Sequence, residues 1–279
     1  MRIPRMRTAR LVTALALLCA PQERPRVELA LAPDTQIALD AAWEPCKSSK
    51  YGLFAETEVL RAPRPAEARR TYGAAEIAPF LPKAAVEVGD TWPVAPDAVL
   101  PFLRQLHPSA RSELHHGYGA APGTYACLRA LSAERAEVLF RAHAELELEG
   151  GVTYTPAQFE GRLVLERGSG RVLALRIALP DRDTNVDVNV PMDGGGFSAD
   201  IGWVPRMELS GGDAGAHDQE HTWARSIPEV DARARLARRF YAFARLDWLP
   251  FDEAVRAARE MERPLHVVVL FGTLDDESC

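Results

Sequence analysis

The sequence predicts an α+β protein in which an antiparallel, β-rich domain is followed by a smaller α/β unit. Three observations support this fold class. Apolar and polar residues alternate in several short runs between residues 124 and 209, which is typical of half-buried strands. A Gly-rich stretch at residues 210–215 marks a boundary. Beyond it, two helical patterns precede a nearly continuous apolar run at residues 265–271, the pattern of a strand buried on both faces.

The chain is long enough for one or two domains, and its charge argues against nucleic acid as a partner. It has 279 residues, of which 47% are apolar, and a net charge of −6. Domains usually hold about 100–200 residues. Phosphate binding needs clustered Lys and Arg, whereas the balance here is acidic. We therefore expect an ordered protein that does not bind nucleic acid.

Residues 1–20 are predicted to form a signal peptide or a short N-terminal anchor. Arginines precede an apolar run at residues 11–20. Such a run is within the usual signal-peptide range of about 7–15 residues and is too short to span a bilayer. The cleavage site is poor, because Leu18 would lie at −3 and Pro21 at +1. We expect an exported bacterial protein, periplasmic or anchored to the membrane through its N-terminus; the alternative is a misassigned start codon.

The remaining chain divides into four predicted regions. Residues 21–45 are mixed and Pro-containing, and are predicted as a linker. Residues 46–212 are predicted as the β-rich domain. Residues 213–226 are predicted as a second linker, and residues 227–279 as the smaller α/β unit.

Within these regions, the periodicity predicts individual elements. A short helix is predicted at residues 97–106, and strands at residues 51–60, 136–148, 159–165, 172–179, 186–190 and 197–209. Gly168, Ser169 and Gly170 indicate a hairpin turn between two of the strands. Helices are predicted at residues 230–243 and 251–262, followed by the strand at 265–271. His266 in that strand is expected to be a hydrogen-bonded core histidine.

Two cysteines in the body of the chain, Cys46 and Cys127, leave two alternatives open. In an exported protein they could form a disulfide, which would stabilise the fold by about 2–4 kcal/mol. They could instead be two small buried apolar residues, which is the interpretation we favour.

Motifs for metal binding fail on their spacing or context. Residues 181–192 begin like a calcium loop, but Val186 stands where glycine is needed and Met192 where glutamate is needed. Calcium is therefore not expected as a partner. His217, Glu220 and His221 spell an inverted zinc-protease pattern, which requires a helix. They follow a Gly-rich stretch instead, and we interpret them as a solvated loop. The pair at residues 115–116 is likewise interpreted as surface histidines.

The C-terminal motif order resembles the entry to a thioredoxin-like domain. In that fold a helix, a buried strand and a loop lead to a redox cysteine, and the N-terminus of the following helix lowers the thiol pKa. Residues 227–279 show this order up to Cys279. They therefore resemble an incomplete thioredoxin-like domain.

The sequence of residues 271–279, Phe-Gly-Thr-Leu-Asp-Asp-Glu-Ser-Cys, resembles a segment of the selenoprotein N family. In that family a Gly-x-Leu-Asp-Asp-x-Ser-Cys run is followed by selenocysteine and glycine. The resemblance continues, in order, at residues 127–132, 137–141, 154–159, 185–187, 200–209 and 249–254. These ordered matches identify the chain as similar to the selenoprotein N family.

The resemblance implies a thiol/selenol oxidoreductase whose catalytic pair is Cys279 and a following selenocysteine. A disulfide or a peroxide would be its substrate, and no bound cofactor or metal is implied. Selenocysteine is encoded by UGA, normally a stop, so we expect the sequence to have been cut after Cys279 and the chain as given to be inactive. The alternatives are a genuine stop codon and a non-enzymatic, β-rich binding module of an exported protein.

Overall fold

Two antiparallel sheets carry the fold. The computed structural model describes residues 26–112, 123–217, 221–240 and 248–267. In this part of the chain, the larger sheet consists of β1 (Gln36–Trp43), β3 (Arg69–Gly73), β4 (Thr91–Val94), β5 (Thr124–Leu131), β6 (Arg135–Ala142), β9 (Phe159–Glu166), β10 (Arg171–Ala178), β13 (Met207–Gly212) and β14 (Arg225–Ser226). Its strand order is β14–β5–β6–β9–β10–β13–β1–β3, with β4 paired to β5.

The smaller sheet consists of β2 (Ser48–Ser49), β7 (Leu146–Glu147), β8 (Thr153–Pro156), β11 (Val186–Pro191) and β12 (Phe197–Trp203). Its order is β2–β12–β11–β8–β7, and every pairing between these strands is antiparallel. The chain passes between the sheets several times, so that both belong to one β-rich unit.

The helices are α1 (Leu53–Glu56), α2 (Glu58–Arg61), α3 (Ala74–Ile77), α4 (Leu100–Leu106), α5 (Glu229–Phe240) and α6 (Phe251–Glu260). Short 3₁₀ turns lie at Ala78–Phe80, Pro96–Val99, Glu149–Gly151 and Ala214–His217. Among the described residues, no helix is long and apolar enough to span a bilayer.

Aromatic side chains fill the core between α4 and the larger sheet. Tyr72 stacks on Phe102 with 4.2 Å between ring centroids, and Phe80 lies 4.5 Å from Phe140. Phe140 can occupy this position because its neighbour on β9 is Gly161, where a Cβ atom would come within 2.1 Å of the Phe140 ring. Such packing is worth several kcal/mol for each buried aromatic, about 3–5 kcal/mol on truncation to alanine.

The antiparallel, β-rich architecture predicted from alternation is confirmed. The hairpin around residues 168–170 joins β9 to β10, and Gly170, at φ 71°, closes it by donating to the Glu166 carbonyl oxygen at 2.9 Å. The helix predicted at residues 97–106 is confirmed as a 3₁₀ turn that continues into α4. The helices predicted at 230–243 and 251–262 correspond to α5 and α6; residues 241–247 lie outside the described part.

Two predictions for the N-terminal part of the chain are wrong. Residues 21–45, predicted as a linker, contain β1, a central strand between β13 and β3 with Leu39 fully buried. Residues 51–60, predicted as a strand, form α1 and α2. The turn that starts α1 is held by buried Asp200, which accepts backbone hydrogen bonds from Lys50, Tyr51 and Leu53.

Two predicted strands are each divided between the sheets. Residues 136–148 form β6 in the larger sheet and β7 in the smaller one, and residues 197–209 form β12 and β13. At the second break, the buried Asn185 side chain donates to the Val204 carbonyl oxygen at 2.9 Å and accepts from its N–H at 2.8 Å. The predicted alternation was correct, but each run continues from one sheet into the other; at the second crossing the Asn185 amide holds the backbone of Val204.

The predicted boundary at residues 213–226 does not separate α5 from the sheet. This segment contains β14, which pairs with β5, and α5 packs on β5 and β6. Helix α5 is therefore part of the β-rich unit and not of a separate C-terminal one. The thioredoxin-like character of residues 227–279 stays a prediction.

Residues 265–267, the described part of the strand predicted at 265–271, do not form a strand. Residues 263–267 have no regular secondary structure, and His266 is exposed, so its prediction as a core histidine is wrong. Residues 268–279 lie outside the described part, as do residues 1–25 with the predicted signal peptide.

Candidate functional site

The predicted catalytic residue, Cys279, lies outside the residues that the structure describes. So do the histidines at 115–116 and residues 218–220 of the zinc-like pattern. The candidate functional groups that the structure describes are two thiols and a cluster of charged side chains beneath α5.

Both described thiols are unpaired and unsuited to redox attack. Cys127 on β5 is fully buried against Leu139, Ala232 and Leu236, and burial raises the pKa of its thiol to about 11. Cys46 is half-buried; burial raises its pKa as well, and its thiol donates to the Ser48 carbonyl oxygen at 3.1 Å. Thiolates are the reactive form, and the raised pKa values keep both groups in the less reactive thiol form near neutral pH. The disulfide alternative is wrong, and the two cysteines are separate packing residues.

A chain of ion pairs, here called the α5 ion cluster, connects the outer face of the larger sheet to α5. Alternation along the strands places Arg129, Glu137 and Arg162 on this face, one each on β5, β6 and β9. Its members are Arg129, Glu137, Glu160, Arg162, Glu229 and Arg233.

Glu137 lies at the centre of the α5 ion cluster. Its side chain is 2% exposed, is ion-paired with Arg129, and lies 3.2 Å from Arg162 Nη1. Arg162 is also paired with Glu229 on the first turn of α5. Burial opposes ionisation of Glu229, but the charges of Arg162 and Arg233 and their hydrogen bonds outweigh it and hold its pKa below the usual value.

Beside this cluster lies a cavity of about 210 Å³ between α5 and the sheet, here called the α5 cavity. Its polar side is formed by Arg141, Gln158, Glu160, Arg182 and Arg233. Its apolar side is the α5 surface of Val230, Ala234, Leu236 and Ala237.

Arg141, one of the residues that line the cavity, contacts a buried histidine. His143 is 3% exposed, stacks on Phe240 with 3.7 Å between centroids, and accepts from Arg141 Nε at 2.9 Å. Burial and the charge of Arg141 lower the pKa of His143 well below its usual value, against an opposing hydrogen bond with the backbone of Ala157. The imidazole is therefore neutral, and its Nε2 acts as an acceptor.

The other motifs have structural roles where they are described. His221 Nε2 lies 3.2 Å from Ser132 Oγ, and its ring packs edge-on against Trp223. Asn185, in the calcium-like stretch, donates to the carbonyl oxygens of Pro180 and Val204. In the described ranges, no group of three or more His, Cys, Asp or Glu side chains could hold a metal ion.

Similarity to known proteins agrees with the C-terminal motif. The chain is 29% identical to selenoprotein N of Danio rerio over an alignment of 270 residues, which covers 77% of this chain and 48% of the relative. It is 27% identical to the selenoproteins N of Mus musculus and Homo sapiens, over 75% and 72% of this chain and 47% and 43% of those relatives. The chain is selenoprotein N-like.

This selenoprotein N-like chain spans about half the length of the curated relatives that it matches. No family model and no solved structure matches it.

Three of the stretches that resemble selenoprotein N meet at the α5 ion cluster and the α5 cavity. Residues 127–132 supply Arg129, residues 137–141 supply Glu137 and Arg141, and residues 154–159 supply Gln158. Sequence reasoning singled out these stretches but assigned no role to the four side chains. These four side chains could have been recognised in the sequence as polar or charged residues at outward-facing strand positions next to the apolar Leu139.

Proposed function

We propose that the protein acts as a thiol/selenol oxidoreductase of the selenoprotein N type, with Cys279 and a selenocysteine encoded directly after it as the redox pair. The single observation that carries this proposal is the sequence motif at residues 272–279 of a selenoprotein N-like chain, Gly-Thr-Leu-Asp-Asp-Glu-Ser-Cys. Its substrate would be a disulfide or a peroxide.

In the proposed reaction with a disulfide, the selenolate attacks one substrate sulfur. A selenium–sulfur bond forms, the substrate S–S bond breaks, and the first thiolate leaves and takes up a proton. The Cys279 thiolate then attacks selenium, which releases the second substrate thiol and leaves Cys279 and selenium joined. The substrate gains two electrons, the pair loses two, and an external dithiol restores it.

Two further observations support the assignment to Cys279. Asp275 and Asp276 precede it, and their negative charge would disfavour a thiolate nearby. A selenol is intrinsically more acidic than a thiol and tolerates such an approach better. In the described part of the chain, Cys46 and Cys127 have raised pKa values, which makes them poor substitutes.

We also propose that the protein is exported and that residues 1–279 alone are inactive. An exported protein, periplasmic or membrane-anchored, would meet disulfide substrates in an oxidising compartment. The polypeptide of residues 1–279 would lack selenium and would be inactive.

A second candidate function is a non-enzymatic binding module. The observation that favours it is the α5 cavity, whose described lining residues all belong to the β-rich unit and include no cysteine. The two functions are distinguished by whether coding sequence continues beyond codon 279.

The nucleotide sequence after codon 279 is expected to contain an in-frame UGA, then a glycine codon, and then a reading frame long enough to complete a domain. This follows because the family motif continues with selenocysteine and glycine. Sequencing the gene region checks it. A UAA or UAG codon, or a frame that closes within a few codons, would contradict the proposal and leave the binding module as the better account.

A further inference from the structure

We propose that helix α6 is an interface between two copies of this chain, in which the two α6 helices pack antiparallel about a twofold axis. The proposal rests on the exposed apolar face of α6 and on the order of charges along the helix. It does not depend on the proposed redox pair.

Helix α6 is amphipathic, but its apolar face is not covered by the described part of the chain. Phe251, Ala254, Val255 and Ala258 recur at i, i+3, i+4 and i+7, so they lie along one side of the helix. Phe251 is 61% exposed, and among the described residues no side chain of α6 is buried. Helix α5, by contrast, has buried side chains that pack on the larger sheet.

The exposed apolar surface continues on both sides of α6. Leu249 precedes the helix, Met261 and Val267 follow it, and all three are exposed. Six of the ten large apolar side chains that are exposed in the described ranges lie within residues 248–267. Such clustering is typical of a surface that contacts another molecule, whereas single exposed apolar residues are common.

The charges of α6 indicate that the other molecule is a second copy. Asp252 lies in the first turn of the helix and Arg259 in the last turn. They are seven residues apart, which is about two turns, so both lie on the same flank of the apolar face, beside Val255. In the described part of the chain, neither side chain makes an ion pair.

Antiparallel packing brings these charges together twice. In a twofold-symmetric pair, a contact from residue i to residue j is repeated from j to i. With the axis beside Val255, Asp252 of each copy faces Arg259 of the partner subunit. A parallel pair would instead place like charges opposite each other, which is unfavourable. The small side chains of Ala254 and Ala258 allow the two helices to approach closely.

The contact is short, which limits its affinity. Helix α6 has ten residues and is therefore about 15 Å long. Interfaces of this size belong to the weak class, and we expect a dissociation constant on the order of tens of micromolar. Sedimentation equilibrium of the 279-residue chain between about 5 and 200 µM covers this range. Dithiothreitol in the buffer excludes disulfide-linked dimers.

Charge reversal tests the antiparallel register. Asp252→Arg and Arg259→Asp should each weaken self-association by at least about tenfold, because two attractive pairs become two repulsive ones. An equimolar mixture of the two variants should form a heterodimer about as tightly as the wild-type chain dimerises, because every pair across the interface again has opposite charges. Recovery in the mixture also shows that neither substitution acts by unfolding α6.

Two further variants locate the interface. Val255→Lys places a charge beside the axis and should leave the chain monomeric over the whole concentration range. Glu260→Arg makes the same charge change as Asp252→Arg on the opposite side of the helix, and should leave the dimer unchanged. A wild-type chain that stays monomeric at about 200 µM would overturn the proposal and would indicate that the chain covers this face itself. Dimers that persist in Val255→Lys, or a mixture of the reversed variants that associates no more tightly than either variant alone, would also overturn it.

Discussion

Replacing Glu137 by glutamine is expected to destabilise the protein by about 3–5 kcal/mol, the usual range when one partner of a buried ion pair is removed. Glu137 is 2% exposed and is paired with Arg129 and Arg162, whose side chains are only 15% and 19% exposed. The substitution keeps the shape and removes the charge. Two poorly hydrated guanidinium groups then remain without their shared carboxylate, which is a much larger loss than that of a surface pair.

Urea-induced unfolding at pH 7.5 measures the change in the free energy of unfolding. Glu147→Gln is the matched control, because Glu147 is 58% exposed and lies 3.7 Å from Arg111. A surface pair of this kind contributes about 0–1 kcal/mol. Equal losses in the two variants would show that the α5 ion cluster does not hold α5 on the sheet.

Lowering the pH from 7.5 to 5.0 is expected to reduce the free energy of unfolding by about 2 kcal/mol through His143. The imidazole of the unfolded chain takes up a proton below its usual pKa of about 6.5. In the folded protein, burial and Arg141 hold the pKa of His143 well below that value, so it stays neutral. The unfolded state therefore binds one more proton, and the free energy of unfolding falls by about 1.4 kcal/mol for each pH unit below 6.5.

His143→Gln keeps an acceptor for Arg141 and does not titrate, so its stability should fall less steeply between pH 6.5 and 5.0. The wild-type protein, measured in the same titration, provides the reference slope. Burial also lowers the pKa of His107, which adds a slope of the same sign in both proteins. An unchanged slope in His143→Gln would mean that His143 is protonated in the folded state.

Local patterns predicted the parts of the fold that local interactions determine. The hairpin between β9 and β10 needs only alternation and Gly170, all within residues 159–178. The strand predicted at 51–60 failed because Asp200, some 150 positions away, holds the turn that begins α1. Strand β1 was missed because its partners, β13 and β3, come much later in the chain.

The candidate sites also depend on residues that are distant in the sequence, which local patterns do not predict. Alternation placed Glu137 and Arg141 on one face of β6, and helical spacing gave α5 an apolar face. Neither pattern states that these two faces meet, so α5 was assigned to a separate unit. The α5 cavity has no signature in the sequence, because it exists only where α5 packs on the sheet.

The central claim is tested most directly by turnover of a disulfide peptide by the full-length, selenocysteine-containing protein with dithiothreitol as the electron donor. We expect turnover in the intact protein and at least about a tenfold loss when selenocysteine is replaced by cysteine, because a thiol is less ionised beside Asp275 and Asp276. In a single turnover of prereduced protein without dithiothreitol, Cys279→Ser should release one substrate thiol and stall at the mixed selenenyl sulfide, whereas the intact protein should release both. Cys46→Ser should behave as the intact protein, and residues 1–279 alone should be inactive. Release of both substrate thiols by prereduced Cys279→Ser without dithiothreitol would contradict the assignment.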